Sequence, residues 1–137
     1  MERYKILLAD DDPDDRELFA EAASIHDAHV IGVPNGMQLM ANLLEAEALP
    51  DVVMLDLNMP EKDGKECLRE IREHDRLKTI PVVIYSTSSA KKDIEDTQQM
   101  GANLYITKPN SFAELKKAIQ RLLAIDWALP IDYVYKS

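Results

Sequence analysis

Cysteine is almost absent from this chain, because Cys67 is the only one among its 137 residues. A single cysteine excludes an intramolecular disulfide and, without a second thiol, a zinc site built from thiolates. Cys67 precedes the apolar Leu68 and Ile71 on a predicted helix, so we interpret it as a small core residue, with a reactive thiol as the alternative. A chain of this length can bury a core without covalent cross-links.

Long hydrophobic runs and basic surfaces are missing as well. No window approaches the roughly 18 apolar residues of a membrane span, and the opening Met1-Glu2-Arg3 leads into a strand-like run, not a signal peptide. Against 25 acidic residues the chain has 16 basic ones, which gives a net charge of −9 and no concentrated basic face. We therefore expect one cytoplasmic domain whose partners are neither nucleic acid nor membrane.

Acidic residues are present in excess, and they are densest in Asp10-Asp11-Asp12-Pro13-Asp14-Asp15. Pro13 fits the first turn of a helix, whose dipole Asp14 and Asp15 complement. A solvated helix start is therefore one explanation of the whole cluster, and we assign Asp14 and Asp15 to it.

Short apolar runs alternate with helical patterns five times along the chain. Strands are predicted over residues 4–9, 29–33, 51–55, 82–85 and 103–107, and helices over 13–25, 37–49, 64–71, 90–100 and 111–125. The first two helices have apolar stripes made of Leu18, Phe19, Ala22, Ala23 and Ile25, and of Met37, Leu39, Met40, Leu43 and Leu44. This alternation predicts an α/β fold, a doubly wound parallel sheet with helices on both faces.

The third predicted strand ends on a carboxylate, Asp56. An apolar run rich in β-branched residues and bounded by turn residues is typical of a strand buried on both faces, so Asp56 would lie at its carboxyl end. Ligands bind at that edge of open α/β sheets. Taken alone, Asp56 also fits a turn cap, because Asp is common in turns.

Other polar residues should meet Asp56 at this edge. The first and third strands are neighbours in a doubly wound sheet, which brings Asp10 and Asp11 close. Clustered carboxylates repel one another, and Mg²⁺, which prefers oxygen ligands, would relieve that repulsion. Ser86 and Lys108 end the fourth and fifth strands and add a hydroxyl and an ammonium. The set suits phosphoryl transfer to a carboxylate, although each residue alone also fits a cap, a turn or a loop.

These residues lie in motifs that resemble the response-regulator receiver domains of two-component signalling. The matching segments are Leu8-Ala9-Asp10-Asp11-Asp12, Leu55-Asp56-Leu57-Asn58-Met59-Pro60, Asp63-Gly64, Ser86-Thr87-Ser88 and Lys108-Pro109. The spacing agrees too, with 30 residues from Asp56 to Ser86 and 22 from Ser86 to Lys108. The resemblance covers about residues 4–125 and implies a five-stranded sheet in the flavodoxin-like order 2-1-3-4-5.

The resemblance implies a role for each acidic residue. Asp56 would accept a phosphoryl group from a phosphohistidine on a sensor histidine kinase or a histidine phosphotransfer protein. Asp11 and Asp56 would bind Mg²⁺ or Mn²⁺ directly, together with the backbone carbonyl of Asn58, and Asp10 would act through water.

The resemblance also implies a switch. Ser86 would be the switch hydroxyl, here in place of the commoner Thr, and Tyr105 the aromatic that moves with it, while Lys108 would bridge to the phosphoryl oxygens. Asn58 and Ser88 lie where family members tune the lifetime of the phosphoryl group. The fourth helix, fifth strand and fifth helix would form the surface that a downstream protein target reads.

The end of the chain falls outside the alternation. We expect residues 1–125 to form the receiver domain and residues 126–137 an apolar, aromatic extension without an output domain. Together with the acidic start, this extension resembles the small regulators paired with bacterial phytochromes. It either packs on the chain's own surface or serves as a partner or dimer contact, so we expect a monomer or a phosphorylation-linked homodimer.

Two other functions remain open alternatives. Small phosphatases of the haloacid-dehalogenase type also use an Asp nucleophile with Mg²⁺, but they need an acid two residues later, where Asn58 follows Asp56. Asp10 has Asp12 at that spacing, but the chain lacks room for a cap domain and lacks a later acidic metal motif. The other alternative is a receiver-shaped interaction module that works without phosphorylation. We expect a phosphoacceptor signalling domain and not an enzyme with turnover.

Overall fold

Strands and helices alternate strictly over residues 3–136, the part of the chain that the computed structural model describes. The elements in chain order are β1 Tyr4–Ala9, α1 Pro13–Ile25, β2 Ala28–Val33, α2 Gly36–Glu45, β3 Val52–Leu55, α3 Gly64–Glu73, β4 Val82–Ser86, α4 Lys91–Gln99, β5 Leu104–Thr107 and α5 Phe112–Leu123. The strands form one parallel sheet in the order β2-β1-β3-β4-β5. The predicted α/β fold and strand order are confirmed.

The two faces of the sheet are buried under different helices. Along β1, Ile6 and Leu8 pack with α1 and α5, whereas Leu7 and Ala9 pack with α2 and α3. This alternation follows from the two-residue period of a strand. Helices cover both faces at the centre of the sheet, which explains why β3 has four buried residues in a row. None of the helices in the described part of the chain is long and apolar enough to cross a bilayer.

The apolar stripes predicted for α1 and α2 are wrong at four positions. The side chains of Leu18, Ile25, Met37 and Leu44 are 44%, 58%, 57% and 50% exposed. Fewer positions around each helix are buried than predicted. Each helix packs on the sheet along one side only, and residues at the borders of that side extend beyond the contact into solvent. The second helix also ends at Glu45, not near residue 49.

The register of the strands determines which residues leave the sheet together. Ala9 pairs with Leu55 in the β1–β3 ladder, so the residues that follow them, Asp10 and Asp56, emerge side by side. The backbone N–H of Asp56 donates to the carbonyl of Ala9 at 3.0 Å. On the other side of β3, the N–H of Lys108 donates to the carbonyl of Ser86 at 2.8 Å.

The segment after α5, residues 126–136, returns to the outer edge of β5. The N–H of Tyr105 donates to the carbonyl of Tyr133 at 2.8 Å, and the N–H of Tyr135 donates to the carbonyl of Tyr105 at 2.9 Å. The hydroxyl of Tyr133 lies 2.6 Å from Thr97 Oγ1 on α4. Of the two interpretations of this segment, the structure therefore has the one in which it packs on the chain's own surface. The outer limits of the predicted domain and extension, residues 1 and 137, lie outside the described residues.

Candidate functional site

Three acidic residues converge where β1 and β3 end. One carboxylate oxygen each from Asp10, Asp11 and Asp56 lies within 4.8 Å of the others. Asp10 is fully buried and Asp56 is 5% exposed, whereas Asp11 is open to solvent. The cluster therefore combines two buried carboxylates with one that solvent reaches.

Lys108 lies at the centre of the acidic residues. Its Nζ is 2.8 Å from Asp10 Oδ2, 2.9 Å from Asp15 Oδ2 and 3.2 Å from Asp56 Oδ2, and its side chain is 10% exposed. Burial by itself would lower the pKa of Lys108, but the close contacts with Asp10 and Asp15 and the charge of Asp56 outweigh burial and raise it. The ammonium is therefore charged at neutral pH and offsets part of the acidic charge.

Asp10 carries the clearest sign of a missing partner. Burial raises the pKa of Asp10 to about 6, a shift that Lys108 reduces and the charge of Asp56 increases. Its Oδ1 accepts a hydrogen bond from the N–H of Asp12 at 3.0 Å. Its Oδ2 is buried and forms an ion pair with Lys108, but that contact is not aligned as a hydrogen bond. A buried carboxylate oxygen without an aligned hydrogen-bond donor fits a hard divalent cation such as Mg²⁺ or Mn²⁺.

The loop after β3 is shaped by a close backbone approach. The N–H of Gly64 donates to the carbonyl of Leu57 at 3.0 Å, and a Cβ at residue 64 would lie 2.3 Å from the carbonyl oxygen of Asp56. Only glycine fits there. Asp63 then caps α3 by accepting from the N–H of Glu66 at 2.9 Å. The motif Asp63-Gly64 thus folds the loop back over the end of β3.

Asn58 lies on the same loop and is exposed. Its backbone N–H donates to Asp56 Oδ1 at 3.2 Å. Its carbonyl, the group expected to bind the metal, stays a predicted ligand.

Ser86 and Tyr105 meet at the turn after β4. Both side chains are fully buried. Ser86 Oγ accepts from the N–H of Ser88 at 3.1 Å, and the hydroxyl of Tyr105 donates to the carbonyl of Ser88 at 2.7 Å. A displacement of this turn would therefore change the hydrogen bonds of both side chains.

Sequence reasoning missed a second set of contacts, which joins α3 to α4 beside the site. Ser88 Oγ donates to Asp93 Oδ2 at 2.6 Å, and Lys65 Nζ lies 2.9 Å from Asp93 Oδ1 and 3.1 Å from Asp96 Oδ2. The hydrogen bond from Ser88 and then that from Lys65 lower the pKa of Asp93. The one available signal was that Lys65 and Asp93 lie in the first turns of their helices, which does not identify them as partners.

Sequence reasoning also missed the contact of Asp15 with Lys108. It assigned Asp15 to the dipole of α1, and the residue does lie in the first turn of that helix. Its partner is 93 residues away in the chain. No local pattern could have indicated this pair.

Comparisons with known proteins agree with this geometry. The family model described as response regulator receiver domain matches residues 6–120. Among curated proteins, the response regulator Rcp1 of Synechocystis sp. is 36% identical over 122 residues, which cover 84% of this chain and 83% of Rcp1.

Two solved structures are similar over most of their length. The phosphorylated cyanobacterial phytochrome response regulator RcpA has a TM-score of 0.80 and 38% identity, over 88% of this chain and 91% of RcpA. The Mn²⁺-bound form of Rcp1 has a TM-score of 0.79 and 31% identity, over 95% of this chain and 98% of that one.

Proposed function

Since this chain belongs to the family of response regulator receiver domains, we propose that its phosphoacceptor is Asp56. Receiver domains are signalling domains of two-component systems and take phosphoryl groups from histidine kinases. The observation that carries the assignment is the buried carboxylate of Asp56 with Lys108 Nζ at 3.2 Å, beside the acidic residues Asp10 and Asp11. The donor we propose is a sensor histidine kinase or a histidine phosphotransfer protein.

Receiver domains bind Mg²⁺ or Mn²⁺ in an acidic pocket, and the cluster described above has the oxygen donors for such an ion. We assign direct binding to Asp11, Asp56 and the carbonyl of Asn58, and an action through water to Asp10. When bound, the cation neutralises charge on the transferred group. The unaligned oxygen of Asp10 supports this assignment.

The chain's own residues then have separate roles in the transfer. A carboxylate oxygen of Asp56 forms a bond to phosphorus while the bond between phosphorus and the donor nitrogen breaks, and the imidazole of the donor leaves. Lys108 offsets the negative charge on the phosphoryl oxygens. Ser86 supplies a hydroxyl that can donate to the same oxygens.

The acyl phosphate would act as a switch by favouring one arrangement of the neighbouring loops. It places charge and strong acceptors beside Ser86 and Lys108, and so stabilises the loop position that satisfies them. Tyr105 would follow, because its hydroxyl is bonded to the carbonyl of Ser88. We propose that a downstream protein reads the change on α4, β5 and α5.

The remaining assignments rest on charge and family. A net charge of −9 argues against nucleic acid or an anionic membrane as the partner. We propose a cytoplasmic receiver domain over residues 1–125 with an extension over 126–137, either monomeric or dimerising when phosphorylated. We also propose that it has no turnover as a phosphatase, because exposed Asn58 occupies the place where such enzymes need an acid.

Intact-protein mass spectrometry after treatment with acetyl phosphate and Mg²⁺ tests the assignment of Asp56. We expect one phosphoryl group on the wild type and none on Asp56→Asn. Asp75→Asn is the matched control, since the side chain of Asp75 is fully exposed, and it should be modified like the wild type.

Three results would contradict the proposal. Modification of Asp56→Asn to the wild-type level would place the phosphoryl group elsewhere. Sustained turnover of an aryl phosphate by the wild type would favour the phosphatase alternative. Partner binding that is unchanged in Asp56→Asn would favour the interaction module that needs no phosphorylation.

A further inference from the structure

Asp15 contacts the proposed reaction centre without belonging to the acids expected there. It lies in the first turn of α1, and its Oδ2 is 2.9 Å from Lys108 Nζ. Its side chain is 33% exposed, so the pair lies at the rim of the site, whereas the Lys108 side chain is 10% exposed.

An ammonium group has three N–H donors, and it takes no more than three strong hydrogen bonds. Asp10, Asp15 and Asp56 together place three carboxylates around Lys108 Nζ. The contacts with Asp15 and Asp56 are aligned hydrogen bonds, and Asp10 forms an ion pair. An oxygen of an incoming phosphoryl group therefore competes with these carboxylates for the donors and the charge of Lys108. Asp10 and Asp56 belong to the proposed metal site and acceptor, which leaves Asp15 as the competitor from outside.

We propose that Asp15 is a positioning residue that holds Lys108 and takes up part of its charge, and thereby slows the transfer of anionic phosphoryl groups to Asp56. The inference rests on the proposed function of Asp56. It differs from the plain structural interpretation, in which Asp15 only stabilises the start of α1.

The expected change in phosphorylation rate follows from the contacts that Lys108 keeps when Asp15 is neutralised. Its contacts with Asp10 and Asp56 would keep the ammonium in place, so the lysine stays at the acceptor. One donor is freed for a phosphoryl oxygen, and one negative charge is removed from the path of an anionic donor. Neutralising Asp15 should therefore speed phosphorylation.

Asp14 is the matched control for the charge and for the helix. It lies in the same first turn, is exposed, and contacts Asp12 through its backbone N–H at 2.9 Å. Asp14→Asn therefore removes the same charge and the same dipole interaction as Asp15→Asn, but leaves the contact with Lys108 intact.

The experiment measures phosphorylation rates of the full chain with two small donors in Mg²⁺ at constant ionic strength, by intact-protein mass spectrometry. Acetyl phosphate carries one more negative charge at neutral pH than phosphoramidate does. With acetyl phosphate, Asp15→Asn should react about three- to tenfold faster than the wild type. The gain with phosphoramidate should be smaller, Asp14→Asn should be unchanged, and Asp15→Glu should restore the wild-type rate.

Several outcomes would overturn the proposal. Equal rates for Asp15→Asn and Asp14→Asn would show that Asp15 only stabilises the start of α1. A slower Asp15→Asn would mean that Asp15 is needed to keep Lys108 in place. Equal gains with both donors would mean that the negative charge of Asp15 does not act on the donor. If the wild type accepts no phosphoryl group from either donor, the proposed function itself fails, which is a distinct result.

Discussion

Asp10 and Lys108 form a buried ion pair at the centre of the candidate site. Burying charges costs free energy, which the attraction between them repays only when partners are well placed. Here the buried Oδ2 of Asp10 has an ion pair and no aligned hydrogen bond. The protein therefore keeps a costly charged cluster, as expected where a cation and a phosphoryl group are to be bound and not where stability alone is at stake.

The contact between Ser88 and Asp93 predicts a pH dependence of stability. The hydrogen bond from Ser88 and the contact with Lys65 hold the pKa of Asp93 below its ordinary value. A carboxyl whose pKa is lower in the folded state stabilises that state above the unfolded pKa, and the stabilisation is lost as pH falls through the folded value. Asp93→Asn should therefore lower the free energy of unfolding at pH 7 by on the order of 1 kcal/mol.

Urea denaturation at several pH values measures this effect. The difference between the wild type and Asp93→Asn should shrink as pH falls below 4. Glu95→Gln, on the same helix but paired only with Lys91 at the surface, should change stability little at either pH. A difference for Asp93→Asn that is the same at pH 7 and pH 3 would show that the charge of Asp93 does not matter.

At the scale of elements, the residues of the candidate site lie at the ends of the strands, and the loops that follow orient their side chains. β1, β3, β4 and β5 end within a residue or two of Asp10, Asp56, Ser86 and Lys108. Since all strands run parallel, these ends share one edge, and short loops after them leave the side chains little freedom. The β3–α3 connection is an example of this restriction, because no side chain fits at Gly64.

Gly64→Ala should disturb the end of β3. The new Cβ would lie 2.3 Å from the carbonyl oxygen of Asp56, which is backbone and cannot turn away. We expect the free energy of unfolding to fall by about 1–3 kcal/mol and phosphorylation of Asp56 to slow, both measurable by urea denaturation and mass spectrometry. Gly32→Ala is the control, because its Cβ would meet the flexible Cδ of Arg16 at 3.2 Å. A Gly64→Ala protein as stable as Gly32→Ala would show that the loop has room to move.

At the scale of the whole molecule, the segment after α5 closes an edge of the sheet. It pairs with Tyr105 through two backbone hydrogen bonds and reaches Thr97 on α4 through Tyr133. Arg121 on α5 donates to the carbonyl of Lys136 at 2.9 Å. The segment thus contacts all three elements that the family resemblance assigns to partner recognition.

Removing residues 126–137 should expose the outer edge of β5. We expect a loss of stability on the order of 2 kcal/mol, because half-buried aromatic side chains are removed, and self-association through the free edge. Light scattering after gel filtration and urea denaturation measure the two effects.

Tyr135→Pro removes the N–H that bonds to the carbonyl of Tyr105, together with a ring that packs on the core and lies over Arg121. Tyr135→Ala removes the ring but keeps the N–H, so the difference between the two variants isolates the edge pairing. Tyr135→Pro should weaken the pairing in the same direction as the deletion. Leu129→Ala, at a residue 61% exposed, is the control. A shortened chain with unchanged stability and oligomeric state would show that the segment neither covers the sheet nor restrains association.

The sequence by itself determined the alternation of strands and helices, the parallel sheet and the edge at which Asp56, Ser86 and Lys108 lie. These follow from local periodicity and chain direction, which short stretches of sequence carry. Only the tertiary structure decided that Asp15 binds Lys108 and where the last segment packs. Such contacts join residues far apart in the chain, and they depend on how each helix is rotated on the sheet, which no local pattern specifies.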